Sequence, residues 1–285
     1  MTTYTVTSAD LKVLEGKTVL ITGGASGIGR AAVDIALEQG ANVVIGDWSE
    51  KLEYELVDQH KDRVLFRKCD ISNWDNVLHL FQDATVRFGI IHVVLSNADV
   101  NAHEDLLDET FDADGKLKAP SLKSIDINLV GQLYVVRCAM HYFAKWPETA
   151  CQLVLTSSAG AFFPAPPLYM YCAAKSGVLG LIRGLRSEVV KKNVTINTVA
   201  PWLTVTPMLL SDWLDNWPLP KNTPEGAALA LFLPTVQAVN GKSFFVAGDK
   251  IIELEDTLNA TEPMWMGEQL CDDVRKGQEI LLGLK

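Results

Sequence analysis

The sequence predicts an α/β fold: a single doubly wound domain with a seven-stranded parallel sheet flanked by helices. Three observations carry this expectation. Short apolar runs of the kind that form strands buried on both faces alternate with segments of helical spacing along most of the chain. The first run, Val19-Leu20-Ile21, leads into glycines at Gly23, Gly27 and Gly29, after which Ile28, Ala32, Ile35 and Ala36 mark a helix. The next run, from Ala41, ends in a carboxylate, Asp47. Alternating strands and helices of this kind bury a parallel sheet between two helical layers.

Composition agrees. A chain of 285 residues that is 48% hydrophobic, with seven tryptophans, can fill one core over 1–285. A net charge of −10 makes nucleic acid or an acidic membrane surface a poor partner and says little about the charge of the small-molecule substrate expected below. The five cysteines are scattered, odd in number and never paired as C-x-x-C, which suits free thiols in a reducing compartment and no metal site. No basic-then-apolar leader opens the chain, and no apolar run approaches the roughly 18 residues that span a bilayer. A cytoplasmic protein with no membrane partner is expected.

In chain order, residues 1–13 read as a polar lead-in, followed by the strand and helix around the glycines. After the second strand, Ser49 can cap a helix reaching about His60. Val64 to Cys69 is a third strand, and Ser72 can cap a helix running to Phe88 with Val77, Leu78, Phe81 and Ala84 on one side. Ile90 to Leu95 is a fourth strand. Residues 100–120 form an acidic excursion beyond its end, and a long helix is expected over 121–145. Gln152 to Thr156 is the fifth strand; Pro164, Pro166 and Pro167 then exclude a helix until Leu168, from which helical spacing runs to Val190. Val194 to Val199 is the sixth strand, 203–223 a cover over the site, Pro224 to Leu233 a helix with proline in its first turn, and Ser243 to Ala247 the seventh strand. A C-terminal extension, 251–285, has room for one more helix.

Two constellations carry chemistry. A strand, a glycine turn and a helix N-terminus expose bare N–H groups and the positive end of the helix dipole, which suits a phosphate. A carboxylate about 20 residues on, at the end of the next strand, is where such folds hold a ribose diol, so Asp47 points to a nucleotide. The second constellation is Tyr171 with Lys175, four apart on one helix face, and Ser158 at the end of the fifth strand. A lysine charge beside a phenol favours phenolate and would draw its titration down toward neutrality. Tyr171 would then exchange a proton with an alcohol or carbonyl whose oxygen Ser158 holds.

On these motifs the chain resembles the short-chain dehydrogenase/reductase family, whose fold is of the Rossmann type, over roughly residues 14–250. The family's cofactor turn stands as Thr22-Gly23-Gly24-Ala25-Ser26-Gly27-Ile28-Gly29, its adenine-side aspartate as Asp70 followed by Ile71, and its asparagine-alanine pair as Asn97-Ala98. The motif around the sixth strand matches Asn197, Pro201, Thr206 and Met208. The resemblance implies a tetrad of Asn128, Ser158, Tyr171 and Lys175. In it Tyr171 is the acid/base, Lys175 also holds the nicotinamide ribose, and Asn128 supports a water path from Lys175. It implies cofactor contacts at Gly23, Ser26, Gly27, Ile28, Gly29, Asp47, Trp48, Asp70, Ile71, Asn97, Ala98, Tyr171, Lys175, Pro201 and Leu203, and a homodimer or homotetramer built on the helices at 121–145 and 168–190. Asp47 would repel the extra phosphate of NADP, so the expected cofactor is NAD.

Within the family, Gly46-Asp47-Trp48 and Tyr171-Cys-Ala-Ala-Lys-Ser-Gly177 resemble the NAD-dependent 15-hydroxyprostaglandin dehydrogenase branch. The long tail resembles fungal secondary-metabolism dehydrogenases such as those that oxidise 5′-hydroxyaverantin. Phe162, Trp202, Met208 and Trp213 suggest a bulky apolar or aromatic substrate. The expected function is therefore NAD-dependent interconversion of a secondary alcohol and a ketone. Two departures stand out: Trp202 and Asp99 each replace a family glycine, Asp99 bringing a carboxylate close to the cofactor. They motivate the alternative of a cofactor-bearing cyclase or isomerase without net hydride transfer.

Overall fold

The structure, a computed structural model, describes residues 3–50, 56, 59–102, 105–209, 214 and 216–283. All seven expected strands form and run parallel: β2 (Thr18–Thr22), β3 (Asn42–Asp47), β4 (Val64–Lys68), β5 (Val93–Ser96), β6 (Cys151–Thr156), β7 (Val194–Pro201) and β8 (Ser243–Ala247). Their spatial order, β8-β7-β6-β5-β2-β3-β4, reverses direction between β2 and β5. That reversal is the switch point of a doubly wound sheet, where strand ends open a crevice.

The expectation of a seven-stranded, wholly parallel sheet is corrected. The sheet is mixed and has nine strands, because β9 (Lys250–Glu253) returns antiparallel to β8 and β1 (Thr3–Tyr4) pairs antiparallel with β9. The turn between β8 and β9 is Gly248-Asp249, both with positive φ (56° and 58°), a two-residue hairpin loop whose twist matches the strands. The lead-in is likewise more ordered than its polarity suggests, since a short helical turn at Asp10–Leu14 buries Leu11 and Leu14.

Two apolar clusters fill the two faces. Helices Gly27–Glu38 and Pro224–Gln237 pack together over one, with Val33, Ala36, Leu231 and Phe232 buried. Helices Trp74–Phe88, Gln132–Phe143 and Tyr169–Val189 cover the other, with Leu80, Phe81, Val135 and Ile182 buried. Side-chain capping explains two of the starts. Asn73 rather than Ser72 caps the Trp74 helix, accepting from the Asn76 N–H, because Ser72 is engaged by Asp70. Thr223 caps the Pro224 helix by accepting from the Gly226 N–H. The helix expected after Ser49 falls mostly outside the described residues.

The helix expected over 121–145 is interrupted: residues Asp126–Gly131 form a wider π turn between a short start at Lys123–Ile125 and the regular Gln132–Phe143. Such turns cluster at functional positions, and this one carries Asn128. The tail folds as three helices, Glu255–Ala260, Glu262–Met266 and Glu268–Leu281, the last two parted by Gly267 at φ 81°. Buried Glu255 ties the tail to the Tyr169–Val189 helix through a two-pronged ion pair with Arg183, at 3.0 Å to Nε and 2.8 Å to Nη2.

Candidate active site

The carboxyl ends of β2, β3, β5, β6 and β7 lie along one edge of the sheet and carry or adjoin most of the predicted residues. At the end of β2 the Thr22 hydroxyl accepts from the N–H groups of both Asn97 and Ala98 at 3.1 Å, locking the end of β5 against the glycine turn. Gly23 has φ 71°, and a Cβ there would lie 2.7 Å from the Ala98 Cα. A Cβ on Gly29 would lie 2.0 Å from the Gly23 carbonyl oxygen, so the turn folds back on itself with room for hydrogen only. Ser26 precedes the first helical residue and its side chain makes no cap, which leaves the N–H groups at Gly27, Ile28 and Gly29 free of a capping side chain.

Asp47 ends β3, buried, with its carboxylate already oriented: Oδ2 accepts from the Ala25 N–H and Oδ1 from the Ser49 N–H, each at 2.9 Å. Each oxygen keeps a second lone pair. A glycine cradle that a Cβ would fill, next to a fixed carboxylate, fits the diphosphate and ribose of a dinucleotide. Gly23, Ser26, Gly27, Ile28, Gly29 and Asp47 are the residues that would hold them. Trp48 is 76% exposed beside Asp47. Asp70 is exposed and holds Ser72, while Ile71 is buried beneath it. Asn97 Nδ2 donates to the Gly23 carbonyl at 3.4 Å and its Oδ1 accepts from Thr156 at 3.2 Å.

Lys175 is held from two directions. Its Nζ donates to the Thr156 carbonyl at 2.9 Å, and its own carbonyl accepts from Ser157 Oγ at 3.0 Å, so the Tyr169–Val189 helix is fastened to the end of β6. The Lys175 side chain has no exposure, and its Nζ lies 5.5 Å from the Tyr171 ring centre. Ser158 accepts from the Gly160 N–H at 3.1 Å and is hydrogen-bonded to the Tyr171 hydroxyl. Asn128 is fully buried and turns both ends of its amide to one residue: Oδ1 accepts from the Val100 N–H and Nδ2 donates to the Val100 carbonyl, both at 2.9 Å. The π turn therefore pins the segment just past Asp99.

Asp99 is the residue whose reach sequence reasoning missed. Its Oδ2 pairs with Lys175 Nζ at 3.1 Å, and it is hydrogen-bonded to Tyr171. Burial pushes the Asp99 carboxyl above the ordinary carboxylate range, with Lys175 pulling the other way. Tyr171 moves opposite to the expectation of a lysine-lowered phenol. Burial pushes it well above its usual value and the Asp99 charge adds to this, while the Ser158 hydrogen bond works against them. The lysine charge is engaged by a carboxylate before the phenol can use it. Asp99 was marked in the sequence only by standing where the family has glycine.

The residues expected at the substrate end are less closely grouped. Phe162 is half-buried just after Ser158. Trp202 is half-buried, its backbone N–H donating to the Val246 carbonyl at 2.8 Å. Pro201 is buried at the end of β7 and Leu203 half-buried, and Met208 is 44% exposed. Trp213 lies outside the described residues. The base of the cover is closed by Thr204 pairing with Asn222, whose amide also donates to the Val246 carbonyl at 2.9 Å. Thr206 meets the cofactor turn, lying 3.1 Å from where a Gly27 Cβ would stand.

Thiol chemistry is confined to one place. Burial pushes the Cys69 thiol up to about 12 and those of Cys138 and Cys151 to about 11, and Cys271 is buried and raised as well. Cys172, beside Tyr171, is the one partly exposed cysteine. Brief alkylation of the native protein near neutral pH should label Cys172 ahead of the other four, as peptide mass mapping would show. Equal labelling of all five would contradict this burial pattern.

Comparison with known proteins bears on this crevice. The family model for short chain dehydrogenases matches residues 17–216. The chain is 30% identical over 300 residues to the short-chain dehydrogenase/reductase prx4 of Penicillium roqueforti, covering 98% of this chain and 88% of that one. It is 28% identical to a 5′-hydroxyaverantin dehydrogenase of Dothistroma septosporum, covering 96% and 97% respectively. Among solved structures it is similar to a 3-ketoacyl-(acyl-carrier-protein) reductase of Brucella melitensis complexed with NADH. That match has a TM-score of 0.71 and 25% identity, over 82% of this chain and 98% of the other.

Proposed function

The chain belongs to the short-chain dehydrogenase family, and from that premise we propose that it is an NAD(H)-dependent oxidoreductase interconverting a secondary alcohol and a ketone on a bulky apolar or aromatic substrate. One observation supports the reading: Ser158 is hydrogen-bonded to Tyr171, and Lys175 to the Thr156 carbonyl at the end of β6, in the same sheet that ends β2 in a glycine turn to which Asp47 is bonded. When bound, the dinucleotide supplies the hydride acceptor or donor at its nicotinamide. The protein's own residues do the rest. Ser158 orients the substrate oxygen, Tyr171 exchanges its proton, and Lys175 sets the charge around the phenol. The backbone N–H groups of the turn and the Asp47 carboxylate hold the cofactor. The substrate class draws on Phe162, Trp202, Met208 and Trp213, and on the fungal relative named as a 5′-hydroxyaverantin dehydrogenase.

The test is to offer a panel of secondary alcohols with NAD and with NADP separately and to follow nicotinamide absorbance. Reduction of NAD with bulky alcohols is expected; no reduction with any alcohol, and no oxidation of NADH with any ketone, would end the reading. For the cofactor, Asp47→Ala should weaken NADH binding by about tenfold, as expected for losing a hydrogen-bonded charge worth ~1.5–3 kcal/mol. It should also narrow the gap to NADPH, measurable by fluorescence titration of both. An unchanged preference would take the ribose role from Asp47.

A second reading has one observation in its favour. A phenol held in its protonated form beside a carboxylate suits acid–base rearrangement of a substrate as well as redox chemistry. Product formed from a candidate substrate without any change in nicotinamide absorbance would favour a cyclase or isomerase.

A further inference from the structure

The geometry points to Asp99 as a proton-holding positioning residue: its carboxylate, set against the Tyr171 hydroxyl and the Lys175 ammonium, accepts the phenol's proton as Tyr171 accepts that of the substrate alcohol. This rests on the dehydrogenase reading above and deepens it at the same site. The ion pair at 3.1 Å joins a fully buried lysine to a carboxylate only 11% exposed, with Nζ also donating to the Thr156 carbonyl. Asp99 is not a loosely placed side chain. The neighbouring Val100 is gripped at both its N–H and its carbonyl by Asn128, itself presented by the π turn. Asp99 Oδ1 is buried with no hydrogen-bond partner among the described residues, which leaves it lone pairs on which a proton can reside.

Charge balance gives the reason. One ammonium faces two groups that can become anions, and a phenolate and a carboxylate side by side are not both stabilised by a single Lys175. A free phenolate standing ready before substrate arrives is therefore disfavoured. Proton movement in two linked steps avoids it. The substrate O–H bond breaks as a Tyr171 O–H bond forms, and the original Tyr171 O–H bond breaks as an Asp99 O–H bond forms. The electron pair of the carbinol C–H bond leaves with the hydride for the oxidised nicotinamide cofactor, and the carbonyl forms. Ketone reduction runs the same path backward from the protonated carboxyl. The groups that bear on this pair are Lys175, Tyr171 and Cys172 from the Tyr169–Val189 helix, Ser158 from the end of β6, and the Val100 N–H next to Asp99.

The sign of the pH dependence follows. Alcohol oxidation needs the carboxylate, so its rate rises with pH through the Asp99 titration, above the ordinary carboxylate range; ketone reduction falls through the same titration. Asp99→Asn keeps the shape and removes the proton site. It should lower kcat for oxidation by roughly 100-fold and erase that rising limb, while Asp99→Glu restores the limb in part. NADH fluorescence and a thermal melt verify that each variant is folded. A readout independent of turnover is the ultraviolet titration of Tyr171 in the free protein, taken as the difference from Tyr171→Phe. In Asp99→Asn the phenol should titrate at lower pH by about one unit or more. Wild-type kcat and an intact limb in Asp99→Asn, or an unmoved phenol titration, would overturn the assignment. If the wild-type protein turned over no alcohol or ketone, the dehydrogenase reading would fail instead, and the phenol titration alone would decide whether Asp99 holds the proton.

Discussion

Tyr171→Phe should lower alcohol oxidation and ketone reduction by roughly 10²–10⁴-fold, the span that positioned proton transfer contributes, while NADH binding changes little. The substitution removes one oxygen. It leaves the ring, which is half-buried at the start of the Tyr169–Val189 helix, and it leaves the Lys175 bonds to Thr156 and Asp99. The glycine turn and Asp47 lie on other strands and do not depend on the phenol. Steady-state rates together with NADH fluorescence separate the two effects. A variant as active as the parent would remove Tyr171 from the chemistry, and a variant that lost both activity and binding would point to a folding defect, which a melt would reveal.

Gly29→Ala should have the largest effect on cofactor binding. The added methyl has no position: its carbon would stand 2.0 Å from the Gly23 carbonyl oxygen and 2.7 Å from Asn97 Nδ2. The turn must open, and the N–H groups that would face the diphosphate in the proposed binding mode lose their alignment. Losing two hydrogen bonds to charged oxygens, each worth ~1.5–3 kcal/mol, corresponds to a loss in affinity of roughly 100-fold or more. Overpacking adds a stability cost of about 1–3 kcal/mol, visible as a melting temperature lowered by several degrees. Gly180→Ala is the matching control. It lies in a helix with nothing within 4 Å of the new methyl, so it should bind NADH as the parent does and melt no lower. Equal affinity in Gly29→Ala would mean that the cradle is not where the dinucleotide sits.

Most of the parallel core was readable because the strands are β-rich apolar runs and most of the helices amphipathic, while the Pro224–Gln237 helix, buried nearly all along, was marked by the proline in its first turn. The two added strands were not, since Thr3–Tyr4 is only two residues long and Lys250–Glu253 holds just two apolar residues between charged ends. Gly248-Asp249 was nonetheless a hairpin signal that could have been used. The break at Asp126–Gly131 has no local signature, and the bonds that accompany it, from Asn128 to Val100, are long-range. The same limit applies at the site. Tyr171 and Lys175 are neighbours by helical geometry and so could be paired on paper, whereas the Asp99–Lys175 pair joins two elements that only the folded sheet brings together. The direction in which Tyr171 is shifted depended on that third group.

The Arg183–Glu255 fork means that the stretch beyond the catalytic fold is bolted to the very rod that carries Tyr171 and Lys175. Trimming the chain before Glu255 would leave Arg183 and Arg186, on that rod's outer side, without the buried carboxylate that faces them.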